Sequence, residues 1–150
     1  MAPASDAVLS IAEIGDSDVA DVITLWRRAG LVRDWNDPTS DIALARRDGN
    51  ATVLLGRVDG APAASVLVGH DGHRGWVYYV TVDPDHRHKG FGRTIMAAAE
   101  DWLRARGIEK LQLMVRGDNA QVHAFYRSLG YYDQDRVVFA KWLDGRAPTP

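Results

Sequence analysis

The sequence predicts a mixed α/β protein of 150 residues, with one sheet and helices on both of its faces. The first observation is a strand, turn, basic loop and helix that follow one another over residues 76–106. The second is a further strand after that helix, because a β-α-β unit implies parallel strands and a right-handed crossover. The third is composition, since 46% hydrophobic and 25% charged residues are typical of a soluble globular domain.

Charge and cysteine content exclude several classes of function. The formal net charge is −2, so we expect no basic surface for nucleic acid. The chain has no cysteine, which excludes disulfides, a thiolate zinc site and a cysteine nucleophile. No apolar run is long enough to cross a bilayer, and residues 1–6 lack the pattern of a signal peptide. We therefore expect a cytoplasmic protein with no membrane and no nucleic-acid partner.

The segments on either side of the central stretch alternate between strand and helix signals, with caps and turns at their ends. The Asp37-Pro38 pair, for example, matches an N-cap and a first helical position, and Asp118 or Asn119 can cap the last helix. Trp26 lies on the apolar stripe of the first helix, so we expect it in the core. The predicted elements are strands at residues 8–14, 52–58, 64–68, 76–82, 110–116 and 137–143, and helices at 19–29, 38–47, 95–106 and 120–129. We expect an ordered core over about residues 7–143 of a single 1–150 domain, with a frayed proline-rich tail at 144–150.

The loop before the central helix has the composition of an anion site. Gly90 and Gly92 remove side chains where the first turn of a helix exposes unpaired N–H groups at the positive end of its dipole. Arg87, Lys89 and Arg93 add cationic charge. A phosphate or pyrophosphate suits this site, although an ordinary strand-to-helix connection would contain the same residue types.

Two familiar phosphate motifs do not fit. A P-loop requires Gly-Lys followed by Ser or Thr, whereas this chain has Lys89 before Gly90. A dinucleotide fingerprint requires a small residue where Ile95 stands and an acidic residue near position 110, which is lysine.

The loop does match the pattern Arg/Gln-x-x-Gly-x-Gly/Ala over residues 87–92, and a second pattern follows it. That second pattern is Asn119 followed by Phe125-Tyr126-x-x-Leu129-Gly130-Tyr131. Both resemble signatures of the GNAT N-acetyltransferases, in the order and with the surrounding elements of that family, over nearly the whole chain. At a finer level, residues 35–38 and 71–75 with Tyr78-Tyr79 resemble the YpeA-like subgroup of small bacterial members.

The resemblance implies a fold and an acetyl-CoA site. Its sheet is mixed and mostly antiparallel, with a central parallel pair that splays around the cofactor. The pantetheine would bond to the backbone of the strand over residues 80–82, and the diphosphate to N–H groups of the loop. The cofactor-binding residues that it implies are Val80, Thr81, Val82, Arg87, His88, Lys89, Gly90, Phe91, Gly92, Arg93, Thr94, Asn119 and Tyr126.

The resemblance also implies catalytic residues. Tyr126 matches the family's tyrosine that protonates the departing thiolate, while its spacing from Val122 is also typical of a helix's packed face. The resemblance does not identify the general base, because residues 76–82 contain no carboxylate. The base candidates are Asp71, His73 and Tyr79, with a chain of waters as the alternative.

The acceptor pocket is expected beside the second helix. Trp35, Asp37 and Asp41, together with Tyr79, would offer an aromatic wall and carboxylates to a cationic amine, although Asp37 also fits an N-cap. No metal site is expected, because the histidines lack the spacing of metal ligands.

These inferences predict an acetyl-CoA-dependent N-acetyltransferase. The acetyl group would pass directly to a primary amine of a small molecule or peptide, without an acetyl-enzyme. The alternative is a non-catalytic acyl-CoA sensor, which the missing strand carboxylate keeps open. A homodimer is expected from the resemblance alone.

Overall fold

A computed structural model describes residues 8–150, so the expectations for the first residues lie outside it. The structure has 3-10 turns at Asp16–Asp18, directly before the first helix, and at Pro84–His86, before the loop that leads to the third helix. The helices and strands are β1 (Ser10–Glu13), α1 (Val19–Arg28), α2 (Pro38–Arg47), β2 (Ala51–Val58), β3 (Ala61–His70), β4 (Gly75–Val82), α3 (Phe91–Arg104), β5 (Leu111–Gln112) and α4 (Ala120–Ser128).

Local chemistry accounts for how several of these elements begin and end. The Asp37 carboxylate accepts hydrogen bonds from the backbone N–H groups of Thr39 and Ser40, which confirms the predicted N-cap of α2. The β2–β3 hairpin turns at Asp59 and Gly60, both with positive φ, as a two-residue loop requires.

Five strands form one sheet in the order β1-β2-β3-β4-β5. The first four pair antiparallel, and β4 pairs with β5 in parallel through Gly75 opposite Leu111. Residues 52–56 of β2 and 63–66 of β3 are buried without interruption, as expected for strands covered on both faces. The predicted mixed, mostly antiparallel sheet is therefore confirmed, but its parallel pair lies at the edge of the sheet and not at the centre as predicted.

The core that bears on the site lies between the sheet and the first two helices. Val53 and Leu55 point to one face of β2 and pack with residues of α1 and α2, including Trp26 and Ile42. Tyr79 of β4 packs against this cluster. Helix α3 packs on β3 and β4 and buries Ile95, Met96 and Ala99 among others.

Two strand predictions were too long or wrong. Of residues 110–116, only Leu111–Gln112 form a strand. Residues 137–143 form no strand, and all of their side chains except that of Trp142 are exposed, with Phe139 at 93% and Leu143 at 94%. Alternation of apolar residues predicts a strand only where a neighbouring edge pairs with it, because β-propensity reflects packing on a pleated surface.

The chain divides into two compact units between Leu113 and Met114. The first contains the sheet and helices α1 to α3, and the second contains α4 and the irregular residues that follow it. Of the helices within residues 8–150, none is long and apolar enough to cross a membrane.

Candidate active site

Strand β4 carries a β-bulge in its middle. Leu67 pairs with Tyr78 and Ser65 with Thr81, so Tyr79 and Val80 together stand opposite the single residue Val66. Tyr79 has φ of 53°, a left-handed conformation that costs an aromatic residue about 1–3 kcal/mol. The bulge takes Tyr79 and Val80 out of the regular ladder with β3. The Tyr79 carbonyl accepts from the Thr81 hydroxyl, and the backbone groups of Val80 can serve a ligand.

Helix α3 begins without a side-chain cap, a short loop beyond the end of β4. Its N-cap residue is Gly90, with φ of 79°, and the first turn contains no acidic side chain. An added Cβ at Gly90 would meet no atom within 4 Å. This helix end therefore presents backbone N–H groups and a positive dipole to an open approach, which is a site for an anion.

The predicted cofactor residues of the loop divide by what they can offer. Phe91 is only 3% exposed, so only its backbone could contact a cofactor. The hydroxyl of Thr94 donates to the Gly90 carbonyl at 3.0 Å. Arg87, Lys89 and Arg93 are exposed around the same helix end. His88 is exposed too, with φ of 64°. Charged side chains and backbone donors thus surround the start of α3.

An ion pair fixes the turn between β4 and the loop. Asp83, whose side chain is only 8% exposed, accepts from the Arg28 guanidinium of α1 at 2.7 and 3.2 Å and from the Asp85 N–H at 2.9 Å. The Arg28 guanidinium holds the pKa of the Asp83 carboxyl below its usual value. Sequence reasoning missed this pair, because Arg28 lies 55 positions away.

Replacing Asp83 with asparagine is expected to lower the free energy of unfolding by about 2 kcal/mol, since charge-assisted hydrogen bonds to a buried carboxylate are lost. Because the folded pKa is lowered, this stabilisation is present above the unfolded pKa of about 4 and is lost as the pH falls through the folded pKa. Urea unfolding from pH 7 down to pH 3 checks both statements. The control is Asp85→Asn, whose carboxylate is 81% exposed, and an equal loss in both variants would contradict the assignment.

The structure joins two of the residues that were predicted to line the acceptor pocket. The Tyr79 hydroxyl donates to the Asp41 Oδ2 at 2.7 Å, and Asn36 also contacts it. Asp37 instead caps α2, and its bonds to Ser40 hold the pKa of its carboxyl below the usual value. Trp35 is half-buried on the stretch before that cap.

The base candidates differ in what the structure leaves them free to do. Asp71 accepts backbone hydrogen bonds from Arg74 and His73, which lower its pKa and weaken it as a base. Burial, and then the bond to Asp41, raise the pKa of Tyr79, so its phenol stays protonated at neutral pH. His73 is exposed on the β3–β4 loop.

One residue that sequence reasoning assigned to the core is in direct contact with the bulge. The fully buried Trp26 of α1 stacks on Tyr79, with ring centroids 3.9 Å apart and planes 4° from parallel. Its indole N–H donates to the Ser65 hydroxyl at 2.9 Å. A buried indole N–H needs a hydrogen-bond acceptor. The presence of a serine within an otherwise apolar strand is therefore a sequence signal that could have suggested this contact.

The second unit holds the remaining predicted residues. The Asn119 side chain accepts from the Val122 N–H at 3.3 Å, which confirms it as the cap of α4. Tyr126 lies on α4 with its ring edge against Tyr131, at a centroid distance of 5.8 Å. Burial raises the pKa of Tyr126 to about 12, so its phenol can donate a proton but does not ionise at neutral pH.

Within residues 8–150, no three histidine, aspartate or glutamate side chains are grouped so that they could hold a metal ion. The chemistry that the described groups offer is backbone hydrogen bonding, an anion site and protonated phenols. These suit the stabilisation of a developing oxyanion and the protonation of a leaving group.

Comparison with known proteins agrees with these features. A model of the acetyltransferase (GNAT) family matches residues 19–131. An acetyltransferase of Yersinia enterocolitica is 42% identical over 127 residues, which cover 85% of this chain and 90% of the relative. An acetyltransferase of Sodalis glossinidius is 43% identical over 121 residues, or 81% of this chain and 85% of the relative.

Solved structures share the fold at low sequence identity. An aminoglycoside N-acetyltransferase in complex with CoA has a TM-score of 0.80 at 13% identity, over 94% of this chain and 99% of that one. An aminoglycoside 6'-N-acetyltransferase of Acinetobacter haemolyticus has a TM-score of 0.74 at 22% identity, over 90% of this chain and 99% of that one. The bulged strand, the glycine loop and the family match lead to one conclusion: this chain belongs to the acetyltransferase (GNAT) family of enzymes.

Proposed function

We propose that this protein transfers the acetyl group of acetyl-CoA directly to a primary amine. The observation that carries the proposal is that two features follow each other along the chain, one within β4 and one just after it. The bulge at Tyr79 and Val80 frees backbone groups, and the uncapped start of α3 follows after a short loop. One cofactor with an acyl thioester at one end and a diphosphate further along would use both.

The cofactor would bind mainly through backbone groups. We place the diphosphate on N–H groups from His88 to Arg93, and the pantetheine amides on the strand from Val80 to Val82. Gly90 and Gly92 permit close approach, and the exposed Arg87 and Lys89 add charge. Family membership and the CoA complex of a structural neighbour support this placement.

The reaction needs no covalent enzyme intermediate. The neutral amine attacks the thioester carbonyl carbon, and the carbonyl oxygen becomes an oxyanion that the Val80 N–H would stabilise. The C–S bond then breaks, and the thiolate takes a proton from the Tyr126 hydroxyl. The amine's proton passes to His73 or to water, because Asp71 is bound in its turn and Tyr79 stays protonated.

The acceptor is proposed to be a cationic small-molecule or peptide amine. Asp41 has a second carboxylate oxygen, Oδ1, beside the one that holds Tyr79, and Trp35 supplies an aromatic surface nearby in sequence. Structural neighbours include enzymes that acetylate aminoglycosides, which are polyamines, and this supports an amine acceptor. Asp37 would contribute only the electrostatic attraction of its negative charge for the amine, since its carboxylate oxygens cap α2.

The remaining predictions stay proposals. We propose, on the sequence resemblance, a single domain of residues 1–150 with cofactor-binding roles for Asn119 and Tyr126. Membership of the YpeA-like subgroup and a homodimer are proposed on the sequence resemblance alone.

An acetyl-transfer assay tests the proposal. The protein is incubated with acetyl-CoA and a panel of amines, and both released thiol and product mass are measured. We expect amine-dependent thiol release and an unmodified protein mass during turnover. CoA binding without turnover on any amine would favour the sensor, and a stable acetyl-enzyme would contradict direct transfer.

A further inference from the structure

The strained bulge in β4 must be held by contacts, because a left-handed tyrosine is not stable by itself in a strand. Tyr79 has such contacts along its whole length. Its ring lies flat on the ring of Trp26, its hydroxyl donates to Asp41, and its carbonyl accepts from the Thr81 hydroxyl at 2.7 Å.

Trp26 connects this tyrosine to the neighbouring strand. Its indole N–H donates to Ser65 of β3, and Ser65 pairs with Thr81, the first residue of β4 after the bulge. Ser65 is fully buried, Trp26 is fully buried and Thr81 is 2% exposed, so this connection is shielded from water. One side chain of α1 therefore touches the bulged residue and bonds to the strand opposite the end of the bulge.

We propose that Trp26 is a positioning residue for acyl transfer, which holds the Tyr79–Val80 bulge in place through its stacking on Tyr79 and its bond to Ser65. This inference rests on the proposed function, because the Val80 N–H has a catalytic task only if a thioester carbonyl lies beside it. Trp26 is buried, so it acts through the bulge and does not touch the substrate.

A buried tryptophan can affect the stability of the fold, the rate of the reaction, or both. A tryptophan that only fills the core affects stability, whereas one that positions the bulge also affects the rate per folded molecule. Displacing a catalytic donor by a fraction of an ångström lowers turnover while binding energy from the rest of the cofactor remains. Trp26→Phe keeps an aromatic ring against Tyr79 but removes the donor to Ser65.

Trp102 offers a matched control. It is buried at 8% exposure on α3, and its indole N–H donates to Glu13 Oε1 at 3.0 Å, so Trp102→Phe also removes one indole hydrogen bond. That bond joins α3 to β1 and involves no residue of the bulge. Ser65→Ala, which removes the acceptor and leaves Trp26 intact, is a second variant that tests the same connection.

The experiment measures kcat at saturating acetyl-CoA and amine, the Kd for CoA, and hydrogen exchange of the backbone amides of residues 78–81. We expect Trp26→Phe and Ser65→Ala to lower kcat per folded molecule at least about tenfold, with faster exchange at the bulge and a Kd for CoA within about threefold of wild type. Trp102→Phe is expected to leave kcat within about twofold, whatever its effect on stability.

Unchanged kcat and exchange in Ser65→Ala, together with unchanged kcat in Trp26→Phe, would overturn the inference. If Trp26→Phe does not fold, Ser65→Ala alone decides. Failure of the proposed function is distinguishable, because wild type would then show no turnover, whether or not it binds CoA. Hydrogen exchange at residues 78–81 still reports in that case whether Trp26 and Ser65 hold the bulge.

Discussion

A Gly90→Glu substitution is expected to weaken CoA binding about 100-fold or more, the equivalent of losing two charge-assisted hydrogen bonds. Gly90 is the N-cap of α3, and the space around an added Cβ is open. A carboxylate there would accept from the N–H groups that we assign to the diphosphate, and would repel the diphosphate itself. Titration calorimetry of both proteins with CoA measures the effect.

The same helix provides a control for strain. Gly107 follows the end of α3 with φ of 75°, close to the 79° of Gly90, and its added Cβ would also meet nothing within 4 Å. Gly107→Glu therefore imposes similar backbone strain at the opposite end of the helix. We expect its Kd for CoA to stay within about twofold of wild type. Equal weakening in both variants would attribute the loss to strain and contradict the anion site.

Tyr126→Phe is expected to lower kcat about 100- to 10,000-fold, the range that a general acid contributes. Phenylalanine keeps the ring and its packing against Tyr131 but has no proton to give to the thiolate. The Kd for CoA should change little, since the contacts that we propose for the diphosphate and the pantetheine are to backbone groups of other residues. Steady-state rates and calorimetry on the same samples separate the two quantities.

Tyr132→Phe is the matched control, because Tyr132 lies in the same unit and is 71% exposed. Its kcat should equal that of wild type. A Tyr126→Phe enzyme with more than a third of wild-type kcat would show that Tyr126 only packs on α4, as its helical spacing also allows.

The protonation of Tyr126 also bears on the pH profile of kcat/KM. Burial raises the pKa of Tyr126 to about 12, so its phenol remains protonated, and able to donate, throughout the range from pH 6 to pH 10. We therefore expect kcat/KM to rise with pH as the amine acceptor loses its proton, and then to stay level. A fall in rate between pH 8 and pH 10 would assign the acid to a group with a lower pKa.

The residues that local signals describe were predicted well from sequence. Asp37 caps α2, Asn119 caps α4, and Gly90 and Gly92 lie at the start of α3, because each depends on chemistry within a few positions of the chain. The strand over residues 76–82 was also predicted to within one residue of β4.

The contacts that shape the site could not be read in the same way. The Trp26–Tyr79 stack and the Arg28–Asp83 pair each join residues more than 50 positions apart, and they form only when α1 packs on the sheet. Periodicity places Trp26 on an apolar face but does not say which residue it touches. The same limit explains residues 137–143, whose alternation gave no information about a pairing partner.

The most direct test of the proposed function is calorimetric titration of the wild-type protein with acetyl-CoA and with CoA. Saturable binding of both ligands, with one site per chain and Kd values on the order of 1–100 μM, is the expected result. It would assign the bulged strand and the start of α3 to the cofactor once the Gly90→Glu comparison is added. Absence of saturable binding at millimolar concentrations of either ligand would contradict both the cofactor site and acetyl transfer.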